Sequence, residues 1–320
     1  MVNNSLPLSR RMCLMTMMAT GMTTFSDPSW SDDRTVLSVG DQNESLRSLL
    51  EAAGEATTFP YHIEWKQFSQ AQPLLQAQNA GVIDFCHAGD VAFLFAYAAG
   101  APIVAIGGSV DGGRSAAIVV RNKSAIHAVQ DLRGKRVALS RAGLGEPLLY
   151  GALAQSGVDR TDVQVVNVPQ SVARMALATG QVDAWVTWQP YVALATGMDD
   201  ARILRDAKGI LSFYVFALAH QAVLENPLKR AAIIDLEKRV GRALEWARTH
   251  KDAYCETYAR ISHLPHNIAA LAIEESDRRS IVIDENVIKG TKELYDNLRS
   301  YGLLKNGIDI SHAFDLAVLD

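Results

Sequence analysis

The residues of this chain best suited to chemistry lie in short loops, each leaving a β-rich run and entering a helical one. In Gly40-Asp41-Gln42-Asn43-Glu44-Ser45, the amides of Gln42 and Asn43 are neutral donors able to hold an anion, while Asn43 or Ser45 equally suits the cap of the following helix. Asp84-Phe85-Cys86-His87-Ala88-Gly89-Asp90 sets Gly89 beside a helix start, where backbone N–H groups meet an anion, and Asp90 there fits an N-cap or a ligand contact. Cys86 and His87 are nucleophile and base by type. Adjacent side chains on an extended segment point to opposite faces, however, so Cys86 reads as a small core residue and His87 as a candidate for the cleft.

The loop Ser140-Arg141-Ala142-Gly143-Leu144-Gly145-Glu146-Pro147 is a backbone cradle for an oxyanion. Gly143 and Gly145 precede a helix with Pro147 near its first position, and Ser140 and Arg141 add side-chain donors. Glu146 suits either the positive end of the helix dipole or a ligand ammonium. The loop lacks the Lys-Ser/Thr of a P-loop and the full dinucleotide fingerprint, which disfavours a nucleotide. In Trp185-Val186-Thr187-Trp188-Gln189-Pro190-Tyr191, the rings suit an organic tail and Trp188 and Tyr191 also offer donors; Trp185 fits the core better. Arg114, in Asp111-Gly112-Gly113-Arg114, suits an anion clamp or the surface.

These loops need a scaffold that brings strand ends together. Short apolar runs at Thr35–Gly40, Tyr61–Trp65, Val82–Phe85 and Ile103–Ile106 alternate with helical stretches, which specifies a parallel sheet covered on both faces. The alternation restarts at Ala116–Val120 and continues through Arg136–Leu139, Val163–Val168 and Val182–Val186. From Asn226 the chain reads as mostly helical, with i, i+3, i+4 apolar spacing over Lys229–His250. The expected fold class is therefore α/β, with two lobes and a ligand cleft lined by loops at the carboxyl ends of strands.

Composition narrows the function. A 320-residue chain with 48% hydrophobic and 21% charged residues is neither disordered, collagenous nor coiled coil. Lys+Arg at 31 against Asp+Glu at 35 gives a net charge of −4 and no field for a phosphate backbone, so no nucleic-acid partner is expected. Cys13, Cys86 and Cys255 have neither paired spacing nor a zinc pattern, so neither a disulfide framework nor a metal is expected. Val91–Gly108 carries no charge, but Gly100-Ala101-Pro102 divides it into a buried helix and a buried strand. The first 30 residues, with Arg10-Arg11 ahead of a Met-, Ala- and Thr-rich stretch, read as an export signal of twin-arginine character or as a cytoplasmic tail.

In order along the chain, several motifs together resemble the taurine and aliphatic-sulfonate branch of ABC-transporter solute-binding proteins. They are Gly81-Val82-Ile83-Asp84 with Gly89-Asp90, Ala98-Ala99-Gly100-Ala101, Asp131-Leu132-Arg133-Gly134-Lys135, Gly180-Gln181-Val182-Asp183-Ala184-Trp185 with Trp188-Gln189-Pro190-Tyr191, and Ser212-Phe213-Tyr214. The resemblance runs from about Val36 to the C-terminus. It implies a periplasmic-binding-protein type II fold, with one lobe from residues 35–115 and 217–320, the other from 116–216, and two hinge crossings. It further implies a monomeric, periplasmic, non-enzymatic protein that uses no cofactor and delivers a small organic anion to a permease and its ATPase.

By position, the family's sulfonate contacts fall at Gln42, His87, Gly89, Asp90, the Ser140–Glu146 loop and Trp188, and Gln189 and Tyr191 lie beside the last. Where the family usually has hydroxyl residues in the third loop, this chain has Ala142, Gly143, Leu144 and Gly145, leaving backbone N–H groups and Arg141 as donors. Other ligands open to the same scaffold are nitrate, a thiamine precursor or a sulfate ester. A desulfinase-like enzyme is also open, drawing on Cys86, His87 and Arg114.

Overall fold

The structure is a computed structural model that describes residues 34–305 and 307–318. The expected export segment lies outside the described residues. The chain opens with β1 (Val36–Gln42), α1 (Ser45–Ala52), β2 (His62–Phe68), α2 (Ala71–Asn79), β3 (Phe85–Gly89), α3 (Asp90–Ala98) and β4 (Ile103–Val110). It continues through β5 (Ala116–Arg121), β6 (Arg136–Leu139), α4 (Gly145–Gln155), β7 (Gln164–Asn167), α5 (Gln170–Ala178), β8 (Ala184–Trp188), α6 (Tyr191–Met198) and β9 (Ala201–Asp206). It ends with β10 (Tyr214–His220), α7 (Gln221–Leu224), α8 (Pro227–Thr249), α9 (Lys251–Ser262), α10 (His266–Ser276), β11 (Arg279–Ile281) and α11 (Glu285–Ser300).

The strands form a six-stranded sheet, β11-β4-β10-β3-β1-β2, and a five-stranded sheet, β7-β6-β8-β5-β9. Neither is purely parallel, contrary to the reading of the apolar runs. β10 enters antiparallel between β3 and β4, and β5 enters antiparallel between β8 and β9. Each intruder is the strand that arrives from the other sheet, so its direction is set by the crossing and not by a βαβ turn. Both intruders are buried in mid-sheet, and such strands read as continuous apolar runs whatever their direction.

Pairing also moves one strand. The run expected at Val82–Phe85 forms instead at Phe85–Gly89, because that segment is bonded on both sides, Val39 opposite Phe85 on β1 and Ala217 opposite His87 on β10. Val82 is 55% exposed, which removes it from the core. What looked like a loop is thus a rigid strand carrying Cys86 and His87.

Apolar side chains fill both faces of each sheet. In the first, Phe93, Phe216 and Leu298 lie in the cluster on one face, and Leu50, Leu236 and Val240 in the cluster on the other. In the second, Ile118, Leu139 and Leu149 oppose Val119, Trp185 and Leu177. A fifth cluster joins α6 to α9 and α10 through Leu194, Tyr258 and Ile268. Gly197 permits that approach, since a Cβ there would stand 2.6 Å from Ile268 Cδ1.

Residues 111–115 and 207–213 link the sheets, and they are tied together where Asp111 N donates to Phe213 O at 3.1 Å. Gly112 N donates to Ser276 O at 2.6 Å, which fastens the end of α10 to the same place. Phe213 holds a left-handed φ of 63°, uncommon for a bulky side chain. Among the described residues no helix is long and apolar enough to cross a membrane.

Candidate functional site

A cavity of about 290 Å³ lies where the carboxyl ends of β1 and β3 face those of β6 and β8. From the first sheet its wall takes Gln42, Asn43, His87, Gly89 and Asp90; from the second, Ser140, Arg141, Gly143, Trp188 and Gln189. All ten of these were singled out in the sequence and are therefore brought together. Arg114, Gly145, Glu146 and Tyr191 lie outside the wall, each for a physical reason.

Arg114 is 56% exposed, and its Nε pairs with Glu275 Oε2 at 2.6 Å, so the guanidinium fastens a crossing to α10. Gly145 is a packing glycine, for a Cβ there would stand 3.0 Å from Leu139 Cβ. Glu146 turns back on its own loop to accept the Ala142 amide, and burial holds its carboxyl above the usual range. Tyr191 meets Trp185 and Trp188 edge-on, with ring centroids 6.1 and 6.4 Å apart, and so braces the Trp188 ring.

On the first sheet's side, the capping role ascribed to Asn43 or Ser45 belongs to Asp41. Its Oδ1 accepts from Leu46 N at 2.9 Å and its Oδ2 from Arg47 N at 3.0 Å, which satisfies first-turn donors of α1 from the preceding strand. Asn43 and Glu44 adopt left-handed φ values of 55° and 58° between them. Asp90 is likewise not an N-cap; it is the first residue of α3, with Gly89 in the capping position. Its Oδ1 accepts from Val91 N at 2.7 Å, and its Oδ2 from Ser212 Oγ at 2.7 Å and Tyr214 N at 3.1 Å, so it ties α3 to the return crossing. Burial pushes its carboxyl up to about 6 against these bonds.

Cys86 and His87 do face opposite ways. Cys86 is fully buried, its Sγ donates to Gln78 Oε1 of α2 at 3.3 Å, and burial pushes the thiol up. His87 points the other way, to Glu237 of α8, with Nε2 2.8 Å from Oε2.

On the second sheet's side, the Ser140 hydroxyl donates to Val168 O at 3.2 Å and accepts from Gln170 Nε2 at 2.9 Å, so its hydrogen is already used. Gln170 Oε1 also takes Trp185 Nε1 at 2.9 Å, which makes Trp185 a core residue, as its sequence setting suggests. Trp188 and Gln189 differ from these. Gln189 Oε1 accepts from Ala193 N at 3.1 Å in the first turn of α6, leaving Nε2 as its donor. Gln189 Nε2 and Trp188 Nε1 are both buried with no acceptor among the described residues. Buried donors without acceptors are uncommon and each is costly, and both of these belong to residues of the cavity wall.

The C-terminal helices, read from the sequence only as packing, complete the wall with Arg248, Lys251, Tyr254, Ile273 and Arg278. Arg278 is the main omission. Its Nε donates to Ser109 Oγ at 2.6 Å and its Nη2 to His87 Nδ1 at 2.7 Å, with burial lowering its affinity for the proton. The available signal was Asp277-Arg278-Arg279, a basic pair breaking an apolar helix. Leu49, Leu144, Leu211 and Phe213 supply an apolar side. The site therefore combines cations and unmet donors with apolar surface, suited to binding an organic anion. Among the described residues no cluster of His, Cys, Asp and Glu is arranged to hold a metal ion.

The family model described as "NMT1/THI5 like" matches residues 63–238, more than half of the chain. The chain belongs to that family. It is 34% identical over 193 residues, 59% of its length, to the "Putative aliphatic sulfonates-binding protein" of Escherichia coli (strain K12), and spans 60% of that relative. The protein of the same name in Bacillus subtilis (strain 168) is 26% identical over 254 residues, 79% of this chain and 76% of the relative. Among solved structures, the alkanesulfonate-binding protein SsuA from Xanthomonas axonopodis pv. citri, bound to MOPS, superposes with a TM-score of 0.78 at 27% identity, covering 88% of this chain and 98% of that one. The fold is thus that of the two-lobed type II periplasmic binding proteins.

Proposed function

We propose that this chain is an extracytoplasmic solute-binding protein that captures a small organosulfonate, taurine or an alkanesulfonate, and hands it as a monomer to an ABC permease with its ATPase. The observation that carries this reading is that two residues of the cavity wall, Trp188 and Gln189, hold buried donors, Nε1 and Nε2, without acceptors among the described residues. A sulfonate offers three acceptor oxygens and no proton at physiological pH, so it needs donors alone. The N-terminus of α4, behind Gly143 and Leu144 of the wall, adds positive potential, and Arg278 adds a formal charge. The Leu49, Leu144, Leu211 and Phe213 surface suits an alkyl or ring tail. The MOPS held by the SsuA relative is a propanesulfonate with a morpholine ring, a ligand of this type. Closure would bend the two linkers, 111–115 and 207–213, about the Asp111–Phe213 bond.

The test is calorimetry and thermal melting against taurine, short and long alkanesulfonates, aryl sulfonates, sulfate esters, nitrate and thiamine precursors. A sulfonate at a hundred times its Kd is expected to stabilise the protein by about 2.7 kcal/mol. Silence towards every sulfonate, or a response confined to nitrate or a thiamine precursor, overturns the reading.

A further inference from the structure

A buried line of polar groups runs from the core to the cavity: Glu237 of α8, His87 of β3, then Arg278, with Ser109 of β4 on the guanidinium's Nε. Glu237 and His87 are each 7% exposed, and Ser109 is fully buried. A guanidinium only donates, so His87 Nδ1 must be the acceptor of the 2.7 Å bond from Arg278 Nη2. The ring hydrogen is then on Nε2, which faces Glu237 Oε2 at 2.8 Å. Glu237 makes no contact with the cavity, yet it selects which His87 nitrogen carries the lone pair.

We infer that Glu237 and His87 are positioning residues for ligand capture: through the Nε2–H tautomer of His87 they hold Arg278 with its outer fork turned to the anion. This rests on the reading of the cavity as an anion site. Ser109 and His87 occupy the Nε and Nη2 edge of the guanidinium, which leaves Nη1 and the second Nη2 hydrogen for a bidentate grip on two ligand oxygens. Ser109 Oγ in turn donates to Val215 O at 3.4 Å, so the anchor is fixed to the sheet that frames the cavity. Asp41 of β1 interacts electrostatically with both His87 and Arg278, and Tyr254 of α9, Glu237 and Asp111 also act on Arg278. The Phe85 ring, edge-on at 5.4 Å, closes one side of the imidazole.

Charge and position predict opposite signs when Glu237 is changed. Removing a buried carboxylate near a cation strengthens anion binding if only its charge matters. If it orders the relay, Glu237→Gln weakens binding, because an amide satisfies either tautomer and the Nδ1–H form confronts Arg278 donor to donor.

The experiment has two arms on the full chain. In the first, nitrogen NMR of the ligand-free protein is expected to show the Nε2–H tautomer of His87, with the Nδ1–H form appearing in Glu237→Gln; an Nδ1–H tautomer in the wild type overturns the inference, whatever the ligand. In the second, calorimetry with 1-butanesulfonate follows a double-mutant cycle with Arg278→Met. Glu237→Gln is expected to weaken binding about tenfold with Arg278 present and by less than about twofold with Met there. Unchanged or tighter binding, or equal weakening in both backgrounds, overturns the inference. If Glu237→Gln loses its cooperative melt, Ser109→Ala releases the other hold on the guanidinium. It is expected to weaken binding in the same direction, and unchanged affinity overturns the inference. Absence of butanesulfonate binding by the wild type counts against the sulfonate reading alone, and the tautomer arm then decides this one.

Discussion

Trp188→Phe separates a ligand-binding donor from a packing ring. The substitution removes Nε1–H, which is buried without an acceptor, and keeps an aromatic ring for the edge-on contact with Tyr191. In the complex, a hydrogen bond from this donor to a charged oxygen is worth about 1.5–3 kcal/mol. At 1.4 kcal/mol per decade, Kd for 1-butanesulfonate is expected to rise about 10- to 150-fold. In the empty protein the balance differs. Where water reaches Nε1 in the ligand-free form its loss costs little, and an unsatisfied buried donor would relieve about 1–3 kcal/mol on removal. The smaller ring gives up roughly 40 Å² of apolar burial, about 1 kcal/mol. The ligand-free stability is therefore expected to fall by no more than the roughly 1 kcal/mol of lost burial while affinity collapses. Calorimetry gives the first quantity, and melts with and without ligand the second. A Kd within about twofold of the wild type, or a parallel loss of affinity and ligand-free stability, would refute the assignment of Nε1 as a ligand donor.

Three further outcomes follow from named groups. Asp90 has its carboxyl raised to about 6 when folded, against about 3.9 when unfolded, so the stability it contributes is present below about pH 4 and is lost as pH rises through about 6. Asp90→Asn should reduce the gain in stability between pH 7 and pH 5 relative to the wild type, and an equal gain in both, by denaturant melts, contradicts this. Asp41→Ala should cost about 0.5–2 kcal/mol in urea unfolding, because two first-turn amides of α1 lose their acceptor, and no loss of stability would contradict this. Cys86→Ala should leave sulfonate affinity unchanged and should create no difference in turnover of an aryl sulfinate, since the thiol is buried, pushed up by that burial and hydrogen-bonded to Gln78. A loss of product in that variant would reinstate the enzyme reading.

The fold was legible because the β-rich and helical runs alternate, and because strand-end loops of such sheets converge whatever the side chains. Strand direction was not legible: β5 and β10 are apolar in the same way as their parallel neighbours, and only their arrival from the opposite sheet reverses them. Within the site, Gln42, His87, Trp188 and Gln189 were recoverable from their place at strand ends. Which donors are free was not recoverable. Ser140 and Trp188 look equally available as residue types, but Gln170 and Val168 occupy the first while nothing occupies the second. Arg278 was missed because its role depends on His87, 191 residues away in sequence, and no local pattern encodes that bond. Asp41 was passed over as a cap because it lies inside a strand, further ahead of the helix than capping residues normally stand.

The unmet donors also bear on why such a site would close only when loaded. On the proposed function, lobes that stand apart would let water satisfy Trp188 Nε1 and Gln189 Nε2 at little cost. Closing an empty cavity strips that water and leaves each donor unpaired, at about 1–3 kcal/mol apiece. Two such penalties together disfavour the empty closed form by roughly 2–6 kcal/mol, enough to make it a minor population. A sulfonate reverses the sign at the same two atoms, because its oxygens supply the acceptors that the protein withholds. On the proposed function, the deficit of acceptors is thus what couples occupancy to closure, and a permease that recognises the closed outline would meet a loaded carrier. Filling the deficit from within should uncouple the two. Ala142→Asp, at a residue already in the left-handed region that Asp tolerates, adds an internal carboxylate acceptor to the same cavity wall. The variant is expected to bind butanesulfonate at least tenfold more weakly and, by small-angle scattering, to be as compact without ligand as the wild type is with it. An extended ligand-free form with wild-type affinity would show that acceptor deficit does not govern closure.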